Sequence, residues 1–219
     1  MITLYAFKWV PPFAQGVVRD LRVRWALEEA GVPYAVKLLG REDADAPEYR
    51  SIQPWGQVPA IDEDGLVLFE SGAIVQRIAE TSEALMPRDP AGRAKAVQWL
   101  FAALNSVEPH VGALADIDIF HAGEDWAKAR RAGQEAFTRM KLAPLARRLA
   151  GREWLEDRFT VGDLMMVTVL RDLRYTDIVT ADPVLGPYLA RGEARPAFQR
   201  ALDAQLAAFR EHAPEAAPA

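Results

Sequence analysis

The chain of 219 residues contains no cysteine. Disulfide bonds are therefore excluded, and so is every mechanism in which a thiolate of the protein is the nucleophile. Histidine is almost as scarce: His110, His121 and His212 are the three in the sequence, and they lie far apart along it. Because no HExxH or EF-hand spacing occurs, we expect no metal site.

Other signatures are missing as well. There is no GxGxxG loop, Walker A loop or GxSxG motif, which leaves dinucleotide, ATP and serine-hydrolase functions without support. The net charge is −5 and the basic residues are dispersed, so we expect no nucleic-acid partner. No apolar run approaches the roughly 20 residues that cross a bilayer. The first ten residues, MITLYAFKWV, lack the pattern of a secretion signal, and we expect a cytoplasmic protein with no membrane partner.

The first third of the chain alternates between strand and helix patterns. Its predicted order is strand, helix, strand, short helical turn, strand, strand, helix, over residues 2–7, 17–30, 34–39, 47–50, 60–61, 67–69 and 71–82. Strands joined through a helix favour parallel pairing, whereas a tight hairpin through Asp62–Gly65 pairs its strands antiparallel. We therefore expect a mixed sheet, with Ser71 capping the last helix.

The rest of the chain has an almost entirely helical pattern. The Pro-containing segment EALMPRDPAG, 83–92, separates the two parts, so we predict a first domain over 1–82, a linker over 83–92 and an all-helical domain over 93–219. One long helix is expected over 124–150, with Pro144 as a kink or interruption near its end. The tail HAPEAAPA is expected to be disordered.

Thr160 and Asp163 in the segment RFTVGDLMMVTVL have the spacing of a capping box at a helix N-terminus. The seven residues that follow, LMMVTVL, have almost no polar side chain. We therefore predict a helix that is buried on all sides.

Four segments in this order resemble those of glutathione transferases. They are RVRWALEEAGVPYAV (22–36), PEYRSIQPWGQVPAI (47–61), LFESGAIVQRIAE (68–80) and FTVGD (159–163). The resemblance implies an α/β plus all-α fold, in which an N-terminal thioredoxin-like domain precedes a C-terminal helical bundle domain. It also implies a homodimer that uses glutathione as co-substrate and promotes attack of its thiolate on a hydrophobic electrophile.

The resemblance assigns glutathione-binding roles to five residues. The Val58–Pro59 bond is expected to be cis, with glutathione pairing to the Val58 backbone like one more strand. Ser71 is expected to offer its hydroxyl and the helix amides to the γ-glutamyl carboxylate, and Glu70 to accept from the ammonium group. Gln57 matches a position at the glycyl end. The alternative interpretation makes Pro59 an edge-strand proline and Ser71 simply a helix cap.

The sequence departs from the family pattern at the catalytic position. Transferases of this kind place a Tyr, Ser or Cys near the start of the first helix, where a donor and the helix dipole favour the thiolate. Here the loop reads FKWVPPFAQGVVRDLRVR. Matching its Pro-Phe pair puts Pro11 at that position, and matching backwards from the Arg-Val-Arg triplet puts Val17 or Val18 there.

Three kinds of group remain to stabilise a thiolate. The first is the pair of backbone amides of Gly16 and Val17 at the start of the first helix. The second is the positive charge of Arg19 or Arg22. The third is a side-chain N–H of the loop, from Trp9 or Gln15.

A second departure concerns the glycyl carboxylate. A lysine that many relatives place before the second helix falls near Asp45 here, so we expect this contact either to pass to Lys37, Arg41 or Arg50 or to be weaker.

Two other functions fit the same pattern. One is a non-catalytic glutathione-binding or scaffold protein of the same fold, which the missing Tyr, Ser or Cys favours. The other is a specialised glutathione-dependent lyase or isomerase, in which the long loop shapes the pocket.

Overall fold

The structure, a computed structural model, describes residues 1–214. Residues 215–219 of the tail that we predict to be disordered lie outside the described residues. The contacts of the chain divide it into two compact units. The first unit comprises Met1–Ser82 together with the segment that begins at Pro196, and the second comprises Glu83–Arg195. The domain limits expected from the sequence, 1–82, 83–92 and 93–219, stay a prediction.

The strands and helices of residues 1–214 are as follows. The strands are β1 (Ile2–Phe7), β2 (Tyr34–Leu39), β3 (Ala60–Glu63) and β4 (Leu66–Phe69). The α-helices are α1 (Asp20–Ala30), α2 (Arg41–Asp45), α3 (Pro47–Arg50), α4 (Ser71–Ala79), α5 (Pro90–Ala102), α6 (Glu108–Ala115), α7 (Asp125–Leu149), α8 (Val161–Leu170), α9 (Leu185–Glu193) and α10 (Pro196–Glu211).

The first unit contains a four-stranded sheet in the order β2-β1-β3-β4. β1 and β2 run parallel, whereas β1–β3 and β3–β4 are antiparallel. This arrangement confirms the predicted mixed sheet and the thioredoxin-like class. The helical second part of the chain is confirmed as well.

The β3–β4 hairpin is held by a two-residue turn. Glu63 pairs with Leu66, which leaves Asp64 and Gly65 in the turn with φ angles of 51° and 94°. A two-residue hairpin turn of this kind needs positive φ at both positions, and an Asp-Gly pair adopts it readily. The hairpin is confirmed, and both strands are longer than the sequence pattern predicted.

Helix α1 lies against the sheet and against α10. It buries an apolar series that includes Leu21, Val23, Trp25 and Leu27. The Trp25 ring meets the Phe198 ring of α10 edge-on, with ring centroids 4.9 Å apart. Helix α10 therefore completes the core of the first unit, although it comes from the far end of the chain.

The second unit is helical, and α8 lies at its centre. All ten residues of α8 are buried, as predicted. The capping box is confirmed: the Thr160 amide donates to the Asp163 carboxylate at 3.0 Å, and the Thr160 hydroxyl accepts from Gly162. Helix α7 continues through Pro144 to Leu149, so that proline does not interrupt it.

Two π-helical turns, Ala103–Val107 and Asp116–Phe120, follow α5 and α6. Within the described part of the chain, no helix combines the length and the apolar character that a bilayer crossing needs.

Candidate functional site

The segment that leads into Val58 is held in place by two buried side chains. The Gln53 carboxamide oxygen accepts from the amides of Trp55 and Gln57, at 2.7 and 3.2 Å. The Tyr49 hydroxyl donates to the Gln57 carbonyl at 2.7 Å. Burial is the main cause that raises the pKa of Tyr49, so this hydroxyl keeps its proton and stays a donor. The Gln57 peptide is thus fixed on both sides, while its side chain is exposed.

The Val58–Pro59 peptide bond is cis, which confirms what the resemblance implied. Val58 lies outside the β1–β3 ladder, whose pairing ends at Tyr5 and Ala60. Within residues 1–214, neither the amide nor the carbonyl of Val58 has a hydrogen-bond partner. The first unit therefore presents a backbone donor and acceptor next to its sheet, where an extended peptide can add as a strand.

Glu70 connects β4 to α4 in an unusual backbone conformation. It is the N-cap residue of α4, and its φ of 69° lies in a region that residues other than glycine seldom adopt. Residues held in such conformations cluster at binding and active sites. The Glu70 side chain is exposed, so its carboxylate can accept from a cationic group in solution.

Ser71 is not a helix cap, and this prediction was wrong. Ser71 is the first residue of α4 rather than the residue before it, and no side-chain cap bond forms there. Its hydroxyl oxygen accepts instead from the Nη1 group of Arg22, at 3.2 Å. Ile74 supplies the first amide that bonds back to Glu70, and the amides before it have no partner among the described residues. The N-terminus of α4 can therefore receive an anion.

Arg22 belongs to this site rather than to the loop before α1. In the sequence, Arg22 was one of several candidates to stabilise the thiolate, as an alternative to Arg19. It is 3% exposed and reaches Ser71, which is 5% exposed, across 49 positions of sequence. The sequence signal for its burial was its position between the apolar residues Leu21 and Val23, which are buried in α1.

The loop before α1 differs from the prediction. The helix begins at Asp20 rather than at Val17, so Gly16 and Val17 lie in the preceding turns. The Val17 amide donates to the Ala14 carbonyl at 3.2 Å, and the Gln15 side chain donates to the Val10 carbonyl at 3.0 Å. These bonds close the loop on itself ahead of α1.

The start of α1 is held by a buried polar network. The Arg24 guanidinium lies 2.7 Å from the Asp20 carboxylate. Gln205 of α10 donates to Asp20 at 2.6 Å and to the Val18 carbonyl at 3.2 Å. Burial raises the pKa of the Asp20 carboxyl and is the largest influence on it. Arg19, the N-cap residue of α1, is exposed beside this network.

The groups considered for the glycyl carboxylate are partly engaged elsewhere. Asp45 lies 2.7 Å from Arg50 and 3.5 Å from Arg41. Lys37 lies over the ring of Tyr5, with its ammonium 5.4 Å from the ring centroid.

Enclosed space does not mark the site. A cavity of about 390 Å³ in the first unit is lined by residues around Tyr5, Lys37 and Tyr49, and one of about 480 Å³ in the second unit by residues around Asp118 and Arg131. Neither is lined by Val58 or Ser71. We place the site at Val58 and Ser71 because a ligand that adds as a strand pairs with backbone groups that lack a partner and does not need a closed cavity.

Comparison with known proteins identifies the family of the chain. The model of the glutathione S-transferase N-terminal domain matches residues 14–80. The chain is 33% identical to the maleylacetoacetate isomerase of Rhizobium meliloti over 192 residues, which cover 82% of this chain and 89% of that protein. The chain belongs to the glutathione S-transferase family.

A solved member of the family has the same fold. The glutathione transferase of Burkholderia graminis, crystallised with two glutathione molecules bound per subunit, superposes on this chain with a TM-score of 0.80. It is 32% identical in sequence, over 92% of this chain and 87% of that one. A glutathione S-transferase-like protein of Fusarium is 37% identical over 128 residues. The aligned segment covers 56% of this chain and 57% of the length of that relative.

Proposed function

We propose that this family member binds reduced glutathione as co-substrate and promotes attack of the glutathione thiolate on an electrophile. The observation that carries the proposal is the free backbone of Val58 beside a cis proline, in the same unit as the anion-receiving end of α4 at Ser71. An extended peptide adds to the first feature and a carboxylate to the second.

Each part of glutathione then has a partner in this chain. The cysteinyl backbone pairs with Val58, and the γ-glutamyl carboxylate binds the Ser71 hydroxyl and the amides at the start of α4. Glu70 accepts from the ammonium group, and the exposed Gln57 contacts the glycyl end. Pro59 holds the preceding peptide in its cis form. The glutathione bound in the Burkholderia graminis relative supports glutathione as the ligand.

The thiolate is stabilised, in this proposal, by the segment Gly16–Arg19. Arg19 supplies positive charge at the start of α1, and such a charge favours the thiolate over the thiol. Gly16 and Val17 stay candidates as backbone donors. The amide of Val17 already donates to Ala14, so it would have to share its proton or leave that turn.

An isomerase is the second candidate, favoured by the match to the maleylacetoacetate isomerase over most of both chains. The name of that relative indicates a substrate with a cis double bond. Addition of a thiolate to such a bond, rotation and expulsion of the thiolate would return glutathione unchanged. A transferase instead consumes glutathione, so the two candidates differ in the fate of the thiol.

Three further expectations are part of the proposal and rest on the family: a homodimer, a cytoplasmic location and a hydrophobic electrophile as second substrate. The non-catalytic alternative keeps the glutathione site and omits the chemistry.

Calorimetric titration with reduced glutathione tests the binding proposal. We expect binding by the wild-type protein, weaker binding by Ser71→Ala, and unchanged binding by Gln76→Ala, a change of a partly exposed α4 residue. No binding by the folded wild-type protein at millimolar glutathione would overturn the proposal.

The chemistry needs a separate measurement. The ultraviolet absorbance of the thiolate measures the pKa of the glutathione thiol. We expect this pKa to be lower in the complex with the wild-type protein than in free glutathione. In the complex with Arg19→Met it should be higher than in the wild-type complex. Consumption of glutathione with electrophiles supports the transferase, and turnover of a maleyl substrate without consumption supports the isomerase. Binding without either reaction, and without a lowered thiol pKa, would establish the non-catalytic alternative.

A further inference from the structure

We propose that Arg22 is a positioning residue for the γ-glutamyl carboxylate of glutathione. It orients the Ser71 hydroxyl so that its proton points toward that carboxylate. The inference rests on the proposed glutathione site, and it adds a residue from α1 to a site otherwise built by the β4–α4 junction.

The geometry requires α1 and α4 to pack together. Arg22 lies in the first turn of α1, and Ser71 is the first residue of α4. Both are buried, and the Nη1 group of Arg22 lies 3.2 Å from the Ser71 hydroxyl oxygen. A buried guanidinium at the end of a helix that already carries unpaired amides concentrates positive charge there, because each of these groups favours an anion.

The direction of the hydrogen bond follows from the chemistry of the two groups. A guanidinium has donors and no acceptor, whereas a hydroxyl has one proton and two lone pairs. Arg22 therefore makes the Ser71 oxygen an acceptor, and the hydroxyl proton stays available. That proton has no acceptor among the described residues. An incoming carboxylate can supply one.

Ser71 leaves the helix amides open because it is the first residue of α4 and not the N-cap residue, which is Glu70. A serine at the N-cap position would turn its oxygen toward those amides and close the site to an anion. Here Arg22 holds the Ser71 oxygen, and no side-chain cap bond forms at this helix start. The amides and the hydroxyl proton can thus act on one ligand group.

The experiment compares two ligands by calorimetry. One is reduced glutathione, and the other is its analogue γ-aminobutyryl-cysteinyl-glycine, which lacks the α-carboxylate. We expect Arg22→Met to weaken glutathione binding about tenfold, the size of a lost charge-assisted contact, and binding of the analogue less than twofold.

Two further variants make the comparison specific. Arg77→Met removes the same atoms and charge from an exposed position of α4, where Arg77 pairs with Glu63 at 3.0 Å, and we expect no loss for either ligand. In a Ser71→Ala background, Arg22→Met should add little to the loss for glutathione, because the residue acts through the hydroxyl.

The outcomes separate the inference from the proposed function. An equal loss of both ligands in Arg22→Met would mean that Arg22 acts only through the fold, and the inference would fail alone. If the wild-type protein binds neither ligand, the proposed function fails and the inference fails with it. If Arg22→Met does not fold, Arg22→Lys takes its place in the same test. We then expect an intermediate loss of affinity for glutathione and none for the analogue. An equal loss of affinity for both ligands would again refute the inference.

Discussion

The side-chain amide of Gln205 donates a 2.6 Å hydrogen bond to the carboxylate of Asp20, although 185 positions separate them. The same amide nitrogen donates to the Val18 carbonyl at 3.2 Å. Helix α10 therefore fixes the residues at which α1 begins. Because α1 also carries Arg22, this contact is part of the framework of the proposed glutathione site.

We expect Gln205→Leu to lower the free energy of unfolding by about 2 kcal/mol. The substitution would remove the two hydrogen bonds that Gln205 donates, to the buried Asp20 carboxylate and to the Val18 carbonyl. Asp20 keeps its bond from Arg24 and Val18 its bond from the Leu21 amide, so the loss is that of two hydrogen bonds at about 1 kcal/mol each. Equilibrium unfolding in urea measures the loss. Gln76→Leu, at a partly exposed position of α4, serves as the control and should change the stability little. Equal stability of the two variants would contradict the role of the network.

Tyr49→Phe should weaken glutathione binding by about threefold while lowering stability by about 1 kcal/mol, the net contribution of a typical hydrogen bond. The change removes the bond to the Gln57 carbonyl, which orients the peptide that leads to Val58. Calorimetry and urea unfolding give the two values. Tyr175→Phe removes a hydroxyl from the second unit, and we expect it to leave glutathione affinity unchanged. A Tyr49→Phe protein with wild-type affinity would argue against a positioned Val58 backbone.

Substitutions at Glu70 should separate stability from binding. Glu70→Gly relieves the positive φ, so we expect it to be more stable than Glu70→Ala by about 1 kcal/mol. Both variants lack the carboxylate, and both should bind glutathione about tenfold more weakly than the wild-type protein. Thermal unfolding and calorimetry check the two halves. If Glu70→Ala keeps full affinity, the ammonium partner has been assigned wrongly.

The stability of the second unit should depend on the protonation of Asp163. Burial is the largest cause and raises the pKa of this carboxyl from 3.8 to about 6, although it accepts bonds from Leu155, Thr160 and Tyr188. Between these two pH values the folded state binds more protons than the unfolded state. Lowering the pH through 6 toward 3.8 therefore adds stability from this group, and raising the pH above 6 removes it.

Asp163→Asn cannot titrate and lacks this gain. We expect the difference in unfolding free energy between the wild-type protein and Asp163→Asn to widen by about 1 kcal/mol from pH 7 to pH 5. Urea unfolding at the two pH values measures it. In Asp157→Asn, which alters a fully exposed carboxylate of the same unit, the difference should stay nearly constant. A constant difference for Asp163→Asn would place its pKa outside this range.

Features that depend on neighbouring residues were predictable. The Asp64–Gly65 turn, the Thr160–Asp163 capping box and the buried helix α8 all follow from patterns a few residues long. The cis bond before Pro59 followed from the family resemblance, which extends over several segments. The start of α1 was misplaced because Val17 and Val18 continue the apolar spacing of the helix, whereas in the structure Val17 belongs to a turn with Ala14 and α1 begins at Asp20.

The sequence by itself determined the mixed sheet and the helical second part, because strand alternation, helical periodicity and turn chemistry are local. The resemblance of four segments along the chain indicated the family. Only the tertiary structure decided that Ser71 receives Arg22 instead of capping α4, and that Gln205 anchors the start of α1. These contacts join residues 49 and 185 positions apart. Such pairs form only when whole helices pack together, and no local pattern records which buried polar groups will meet.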